Sequence, residues 1–248
     1  MIPIYTKHDQ SKLIIAGKLA KQSLEYVCAS VKEGVTTNSL DEIFVKFIKE
    51  MGCNAPCKGF HGYPKSLCIS VNDEVCHGIP STRILKKGDI VSVDLVVEKE
   101  GYYADTCKTV TIGGVDASVE QLIDVTHNAM MEAIANLEIG MPFNTIGECI
   151  ENFVKPFKFG IVKDYCGHGI GKQLHHSPQI LHYHNPSQGK ELIKEGMCFT
   201  IEPMITLGHF ATTTDRDGWT VRTKDNSICA QFEHTIFMDK SGPIITTL

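Results

Sequence analysis

The chain has 248 residues, with 42% hydrophobic and 21% charged residues and a formal net charge of -5, ordinary values for a soluble globular protein of one large domain or two small ones. No basic block points to nucleic acid or an anionic membrane, and no apolar run approaches the roughly eighteen residues that a spanning helix needs. The opening Met1-Ile-Pro-Ile-Tyr-Thr-Lys-His8 leads into an amphipathic pattern and not the apolar run of a signal peptide, so a cytoplasmic location is expected. The 10 cysteines include no C-x-x-C pair, and a chain this long can build its core without staples, so free thiols in a reducing cytosol are expected. The tight group Cys53, Cys57, Cys68 and Cys76 matches the spacing of no common zinc module.

Along the chain, Leu13, Gly17, Ala20, Leu24, Val27 and Val31, with Ile14 and Cys28 beside them, form a helical stripe over 7–31 that Gly34 ends. Ser39 followed by Glu42 reads as a capping box for a second helix through Ile43, Phe44, Phe47 and Ile48, stopping at Gly52. A loop of small residues, a short strand over 67–71 and the run Asn72-Asp-Glu-Val-Cys-His-Gly-Ile-Pro80 follow. Residues 90–113 then read as two strands rich in Val, Ile, Tyr and Thr, joined by a polar turn at Glu98-Lys99-Glu100-Gly101.

A turn centred between Lys99 and Glu100 places Asp94 opposite Asp105; a turn centred one residue later pairs Asp94 with Cys107 instead. Facing like charges destabilise a ladder, and burial worsens the repulsion, so the first register calls for a divalent cation between the two acids. Two acids on a hairpin also describe a solvated strand face. From Asp116 the order repeats: a long helix to about residue 137, a second over 144–153, a Gly- and His-rich loop, and strands over 197–238.

The repetition extends to the letters. Gly34-Val-Thr-Thr-Asn-Ser-Leu-Asp-Glu42 aligns with Gly140-Met-Pro-Phe-Asn-Thr-Ile-Gly-Glu148, and Leu85-Lys-Lys-Gly-Asp-Ile-Val-Ser-Val-Asp94 with Ile193-Lys-Glu-Gly-Met-Cys-Phe-Thr-Ile-Glu202. The period is too long for a solenoid, which leaves two homologous halves, each a helix pair followed by strands. The returning strands correspond as well, Asp105-Thr-Cys107 with Glu233-His-Thr235. A pseudo-twofold between such halves brings Asp94, Asp105, Glu202 and Glu233 together at the centre.

Four converging carboxylates cannot all stay ionised without cations, and they suit a pair of hard-to-borderline divalent ions with some acids bridging. The loop Tyr165-Cys-Gly-His-Gly-Ile-Gly171 supplies an imidazole, His168, between glycines that let backbone approach closely. Of the further histidines, His175 is singled out; His176, His182 and His184 read as surface residues.

The four acids and His168, with the run 72–80, Gly-His-Gly-Ile-Gly (167–171), Thr-Ile-Glu-Pro (200–203) and Gln-Phe-Glu-His-Thr (231–235), resemble type I methionine aminopeptidases over almost the whole chain. The resemblance implies an α+β pita-bread fold: a curved antiparallel sheet covered by two pairs of helices, in one catalytic domain, 1–248, with an internal repeat of roughly 8–113 and 116–240. It implies removal of the initiator methionine from nascent polypeptide N-termini when the second residue is small (Gly, Ala, Ser, Thr, Pro, Val or Cys), by a monomer that meets the ribosome only transiently. Two divalent ions (Co, Mn, Fe or Zn) are implied. By the same resemblance, Asp94 would be terminal on one, His168 and Glu202 would bind the other, and Asp105 and Glu233 would bridge. A water held between them would be acidified for attack, and Glu202 could take its proton and pass it to the leaving amine. His77 and His175 are implied to face substrate, His77 at the scissile amide nitrogen and His175 at the developing oxyanion. Tyr63, Cys68, Leu174 and Trp219 are implied to line the methionine pocket, although the family often carries an aromatic residue where Leu174 stands. With no zinc-finger extension before Met1, the short bacterial form is expected. A proline-directed aminopeptidase or prolidase on the same fold is the alternative enzyme; those usually carry an extra N-terminal domain. A binding module without catalysis is the third possibility, and such proteins typically lack some of the five ligands.

Overall fold

The computed structural model describes residues 2–188 and 191–248 and begins with a helix pair. Thr6 opens α1 (Lys7–Cys28): its side chain accepts from the Asp9 amide while Asp9 accepts from the Thr6 amide, so two free donors are satisfied reciprocally. Helix α2 (Thr37–Glu50) is capped by Thr36, which accepts from Ser39 N at 3.2 Å, so the cap expected at Ser39 lies upstream. Thr36 holds the cap because it bridges Ile84 and is thereby kept extended (φ -85°, ψ 148°), as an N-cap must be.

Strands β1 (Cys68–Val71), β2 (Glu74–Cys76), β3 (Ile90–Lys99) and β4 (Tyr102–Thr111) complete the first half of the chain. Then come α3 (Ala117–Ala135), α4 (Asn144–Val154), β5 (Gly160–Ile161), β6 (Gly167–Gly169), β7 (His176–Ile180), β8 (Cys198–Ile201) and β9 (Met204–Thr206). The chain closes with β10 (Thr212–Thr214), β11 (Val221–Thr223), β12 (Cys229–Gln231), β13 (His234–Asp239) and β14 (Gly242–Ile245). All the ladders are antiparallel, in the orders β1-β3-β4, β10-β11-β2, β12-β9-β5 and β14-β13-β8-β6-β7. The β14 strand was not anticipated; Pro243 is tolerated there because β14 is an edge.

The hairpin adopts the second of the two registers: Asp94 pairs with Cys107, and Asp105 with Val96. The turn decides this. Glu100 (φ 53°) and Gly101 (φ 82°) both take left-handed backbone, the form of the tight two-residue loop whose twist matches its strands. Asp94 and Asp105 are therefore diagonal neighbours on one face and not directly opposed, which relieves their repulsion without separating them.

Each helix pair covers its own strands. Leu13, Ala20 and Val27 of α1 and Phe44 of α2 are buried with Val93 and Leu95 of β3. Leu122, Val125 and Ala129 of α3 and Ile150 of α4 are buried with Phe199, Ile201 and Ile236. Burial of this kind contributes roughly 1.5–3 kcal/mol per large aliphatic side chain. Helix α1 also meets the C-terminal segment at Gly17, where a Cβ would come within 2.2 Å of Thr246 O.

Candidate metal centre

The site forms where the two halves of the chain touch. Glu233 exchanges both main-chain hydrogen bonds with Cys107 of β4 (3.3 and 2.9 Å), which sets its carboxylate beside Asp105. Glu202 follows β8, and His168 sits in the middle of β6, the neighbour of β8. As expected, the glycines flanking His168 are slots: a Cβ on Gly167 would meet Thr200 O at 2.5 Å, and one on Gly169 would meet His176 Nδ1 at 2.2 Å.

Threonines hold these side chains in place. The Thr200 hydroxyl accepts from His168 N at 3.0 Å and donates to Glu202 Oε1 at 2.8 Å. Thr235 Oγ1 accepts from Asp105 N at 2.9 Å and donates to Asp105 O at 2.8 Å. The orientation of His168 is fixed by its own backbone: Nδ1 lies 3.1 Å from Gly169 O, which can only accept, so Nδ1 carries the proton. Its Nε2 lone pair is thereby aimed at Glu202 Oε1 (3.6 Å) and Asp105 Oδ2 (3.7 Å).

Ligand atoms of Asp94, Asp105 and Glu233 lie within 4.8 Å of one another, as do those of His168, Glu202 and Glu233, and those of Asp105, His168 and His175. The residues fit a pair of divalent cations. Asp105 Oδ1 and Glu233 Oε1 are buried without a hydrogen-bond partner, and an imidazole lone pair faces carboxylates, an arrangement that only a cation or protons can reconcile. Among the described residues, no cysteine joins a group of this kind, and all 10 thiols are free.

Protons are what the metal-free site takes. Burial and then the charge of Asp105 raise Asp94, Glu202 and Glu233 well above the ordinary carboxylate range, and burial raises Asp105 to about 7. Burial also lowers His168 to about 4, so its ring is neutral and free to ligate. A carboxyl raised on folding keeps a proton that the unfolded chain releases, so the stability of metal-free protein should fall as pH climbs above the ordinary carboxylate range. For Asp105 the loss spans about pH 4 to about pH 7. The melting temperature of chelated protein should therefore drop between about pH 4 and about pH 7, while protein saturated with divalent metal stays level. Equal slopes would mean that the acids do not govern the stability of the site.

Beside the acids opens a cleft of about 160 Å³, lined by Tyr63, Cys68, His77, Leu174, His175 and Trp219, all six predicted from sequence, together with Cys57, Phe60 and Val96. Val96 was findable, since it lies two residues from Asp94 on the same strand face. Cys57 lies in irregular chain where no periodicity reports it. Tyr63 is locked by hydrogen bonds to Leu67 O (3.1 Å) and Gly78 O (3.0 Å) and meets Trp219 edge-on at 5.1 Å. His77, lowered by burial, stands edge-on to Tyr165 at 5.5 Å. His175 stands edge-on to His168 at 3.9 Å and to Phe60 at 5.0 Å; it is exposed on its cleft side, yet its partial burial, then the His168 ring, lowers it to about 3. Larger hollows occur, one of about 530 Å³ near Lys155, Lys163 and Tyr183, but no ligand triad converges there.

Two of the histidines expected at the surface are structural. His182 is 1% exposed, and its Nε2 accepts from Glu202 N at 3.1 Å. His176 is half-buried against Tyr5, and only His184 is exposed as expected.

The helix pairs, the antiparallel sheets and a carboxylate–imidazole cluster at their junction define a metal-dependent hydrolase of the pita-bread fold. The chain belongs to metallopeptidase family M24, whose pattern spans residues 11–240. Within that family it is similar to the methionine aminopeptidase of Escherichia coli K12, with 43% identity over 249 aligned positions that cover 100% of this chain and 94% of that one. The crystal structure of methionine aminopeptidase from Rickettsia prowazekii superposes with a TM-score of 0.97 at 43% identity, covering 100% of both chains. The prolidase from Pyrococcus furiosus shares the fold alone, with a TM-score of 0.78 at 20% identity; this chain covers 65% of it. No described helix is long and apolar enough to cross a membrane.

Proposed function

We propose that this chain is a methionine aminopeptidase that removes the initiator methionine from nascent polypeptides whose second residue is small. The observation that carries the reading is the convergence of Asp94, Asp105, His168, Glu202 and Glu233, with unpartnered oxygens on Asp105 and Glu233, beside a cleft walled by Tyr63, Cys68, Leu174 and Trp219. Residues 1–248 act as one catalytic domain built from the repeats 8–113 and 116–240. The enzyme works in the cytoplasm as a monomer, meets its substrates transiently at the ribosome, and needs neither nucleic acid nor membrane.

Asp94 would hold one divalent ion, His168 and Glu202 the other, and Asp105 and Glu233 both; this donor set suits manganese, iron, cobalt or zinc, with cellular supply deciding among them. Two such ions supply Lewis acidity to the scissile carbonyl and make the attacking water more acidic. Glu202, steadied by Thr200, takes the proton from that water and delivers it to the leaving amine. His175, neutral because its pKa is depressed to about 3, donates to the oxyanion. His77 holds the scissile amide nitrogen. Metal analysis of protein purified anaerobically from its own cell identifies the native ion.

A cleft of about 160 Å³ would suit one methionine side chain with little space beyond it, so Met-Ala-Ser should exceed Met-Lys-Ser in kcat/KM by about a hundredfold or more. Ala-Pro-Ala should not be cleaved. Turnover of Ala-Pro-Ala in preference to Met-Ala-Ser would make this a proline-directed peptidase, and no turnover of any peptide with metal bound would make it a binding module.

A further inference from the structure

His168 and His175 ride on the chain running from β6 to β7, and this segment is gripped from outside by a residue remote from the chemistry. Tyr5 is 7% exposed and packs into the slot left by Gly171, where a Cβ would lie 2.2 Å from the Tyr5 Cζ and Oη and the φ of +152° already disfavours a side chain. The Tyr5 hydroxyl accepts from Lys172 N at 3.1 Å and lies 3.2 Å from His176 Nε2.

The direction of that second bond follows from the other side of the ring. His176 Nδ1 is 2.6 Å from Ser177 O; a carbonyl accepts only, so Nδ1 carries a proton and Nε2 is left as the ring's acceptor. Tyr5 therefore donates to His176, and both capacities of its hydroxyl are used. Burial raises the phenol above its ordinary value, so the donated proton stays in place. His176 pairs with Gly169 in the ladder, fills the space where a Gly169 Cβ would be, and is the chain neighbour of His175.

The N-terminal segment is itself anchored. Tyr5 N donates to Gly196 O at 2.7 Å, and Asp9 holds both Lys172 Nζ (2.7 Å) and Tyr102 Oη (2.6 Å). Tyr5 thus links a fixed strut to the one segment that carries two imidazoles of the site.

We propose that Tyr5 is a positioning residue for the reaction: its hydroxyl sets the place of Lys172 and His176 and thereby the aim of His175 at the developing oxyanion. The proposal rests on the role assigned to His175 above. Tyr5→Phe keeps the ring in the Gly171 slot but leaves Lys172 N and His176 Nε2 without their partner. A misplacement of about an ångström at a reacting group costs up to about a hundredfold, so Tyr5→Phe should lower kcat roughly tenfold, with KM and the number of bound ions unchanged. His176→Phe, which removes the acceptor instead of the donor, should lower kcat to a similar degree and should not add to Tyr5→Phe.

The deciding experiment is a double-mutant cycle on Met-Ala-Ser, with Tyr5→Phe and His175→Ala alone and combined. Tyr5→Phe should lose its effect on kcat, to within about twofold, once His175 is alanine. An equal fold loss in both backgrounds, or unchanged kcat in Tyr5→Phe alone, overturns the positioning role while leaving that of His175 intact. Near-normal kcat in His175→Ala alone overturns the role of His175 and, with it, the proposal. Thermal denaturation of each variant supplies the readout for a purely structural role, which would lower stability without separating kcat from KM.

Discussion

Glu233→Ala should bring turnover to background while both helix pairs remain folded. The fold does not depend on this carboxylate, because Glu233 is tied to β4 through its main chain, in the two hydrogen bonds exchanged with Cys107. Its side chain, by contrast, takes part in two of the ligand triads and holds a buried oxygen that no protein donor satisfies. In the proposed bridging role it serves both ions, so its loss weakens both. The same geometry predicts a gain elsewhere. Without ions, Glu233 crowds Asp94, Asp105 and Glu202, so the metal-free Glu233→Ala protein should melt higher than metal-free wild type near neutral pH. Metal titration, melting curves and steady-state kinetics on the two proteins test both halves. Full activity in Glu233→Ala, or in exhaustively chelated wild type, would refute the dinuclear reading.

The convergence of the four carboxylates was legible because they sit at repeated places in a duplicated chain, whereas His168 was read from its glycine-flanked loop. Asp94 and Glu202 occupy matching positions after Gly88 and Gly196, and Asp105 and Glu233 match on the returning strands. Distances between halves were not legible, since nothing local states that Cys107 and Glu233 will bridge. The hairpin shows how little separates a right register from a wrong one. The polar run 98–101 allowed two centres, and only the left-handed backbone at Glu100 and Gly101 selected between them. Because the two registers differ by two residues, the acids kept their face, and the site survived the choice. The α2 cap was misplaced for a tertiary reason, the bridge from Thr36 to Ile84. His182 and Tyr5 had no readable role: one supports Glu202 and the other the β6–β7 segment only through contacts between distant parts of the chain. Side chains that act on ligands announce themselves through chemistry and spacing, whereas those that hold ligands in place are ordinary residues until the fold is known.

His175→Ala separates the proposed substrate-facing groups from the proposed ligands, and two ions should remain bound in it. The structure makes this a sharp question, because ligand atoms of His175, Asp105 and His168 come within 4.8 Å of one another. Geometry alone would let His175 serve an ion. Against that, its ring is edge-on to His168, Phe60 packs on it, and it lines the cleft with His77 and Trp219. Removing one donor to a developing oxyanion typically costs about a hundred- to a thousandfold, and kcat of His175→Ala should fall in that range. His175 is exposed on its cleft side, but what burial it has, and then the His168 ring, hold its pKa low, so the ring donates in its neutral form near neutral pH. The fall in kcat should accordingly be the same near pH 6 as near pH 8, both values lying well above about 3. His77→Ala should lose as much or less, since orienting an amide is partly a matter of binding. Parallel metal titration and kinetics decide: near-normal turnover returns His175 to the bland company of His184, and the loss of one bound ion moves it from the substrate to the metal.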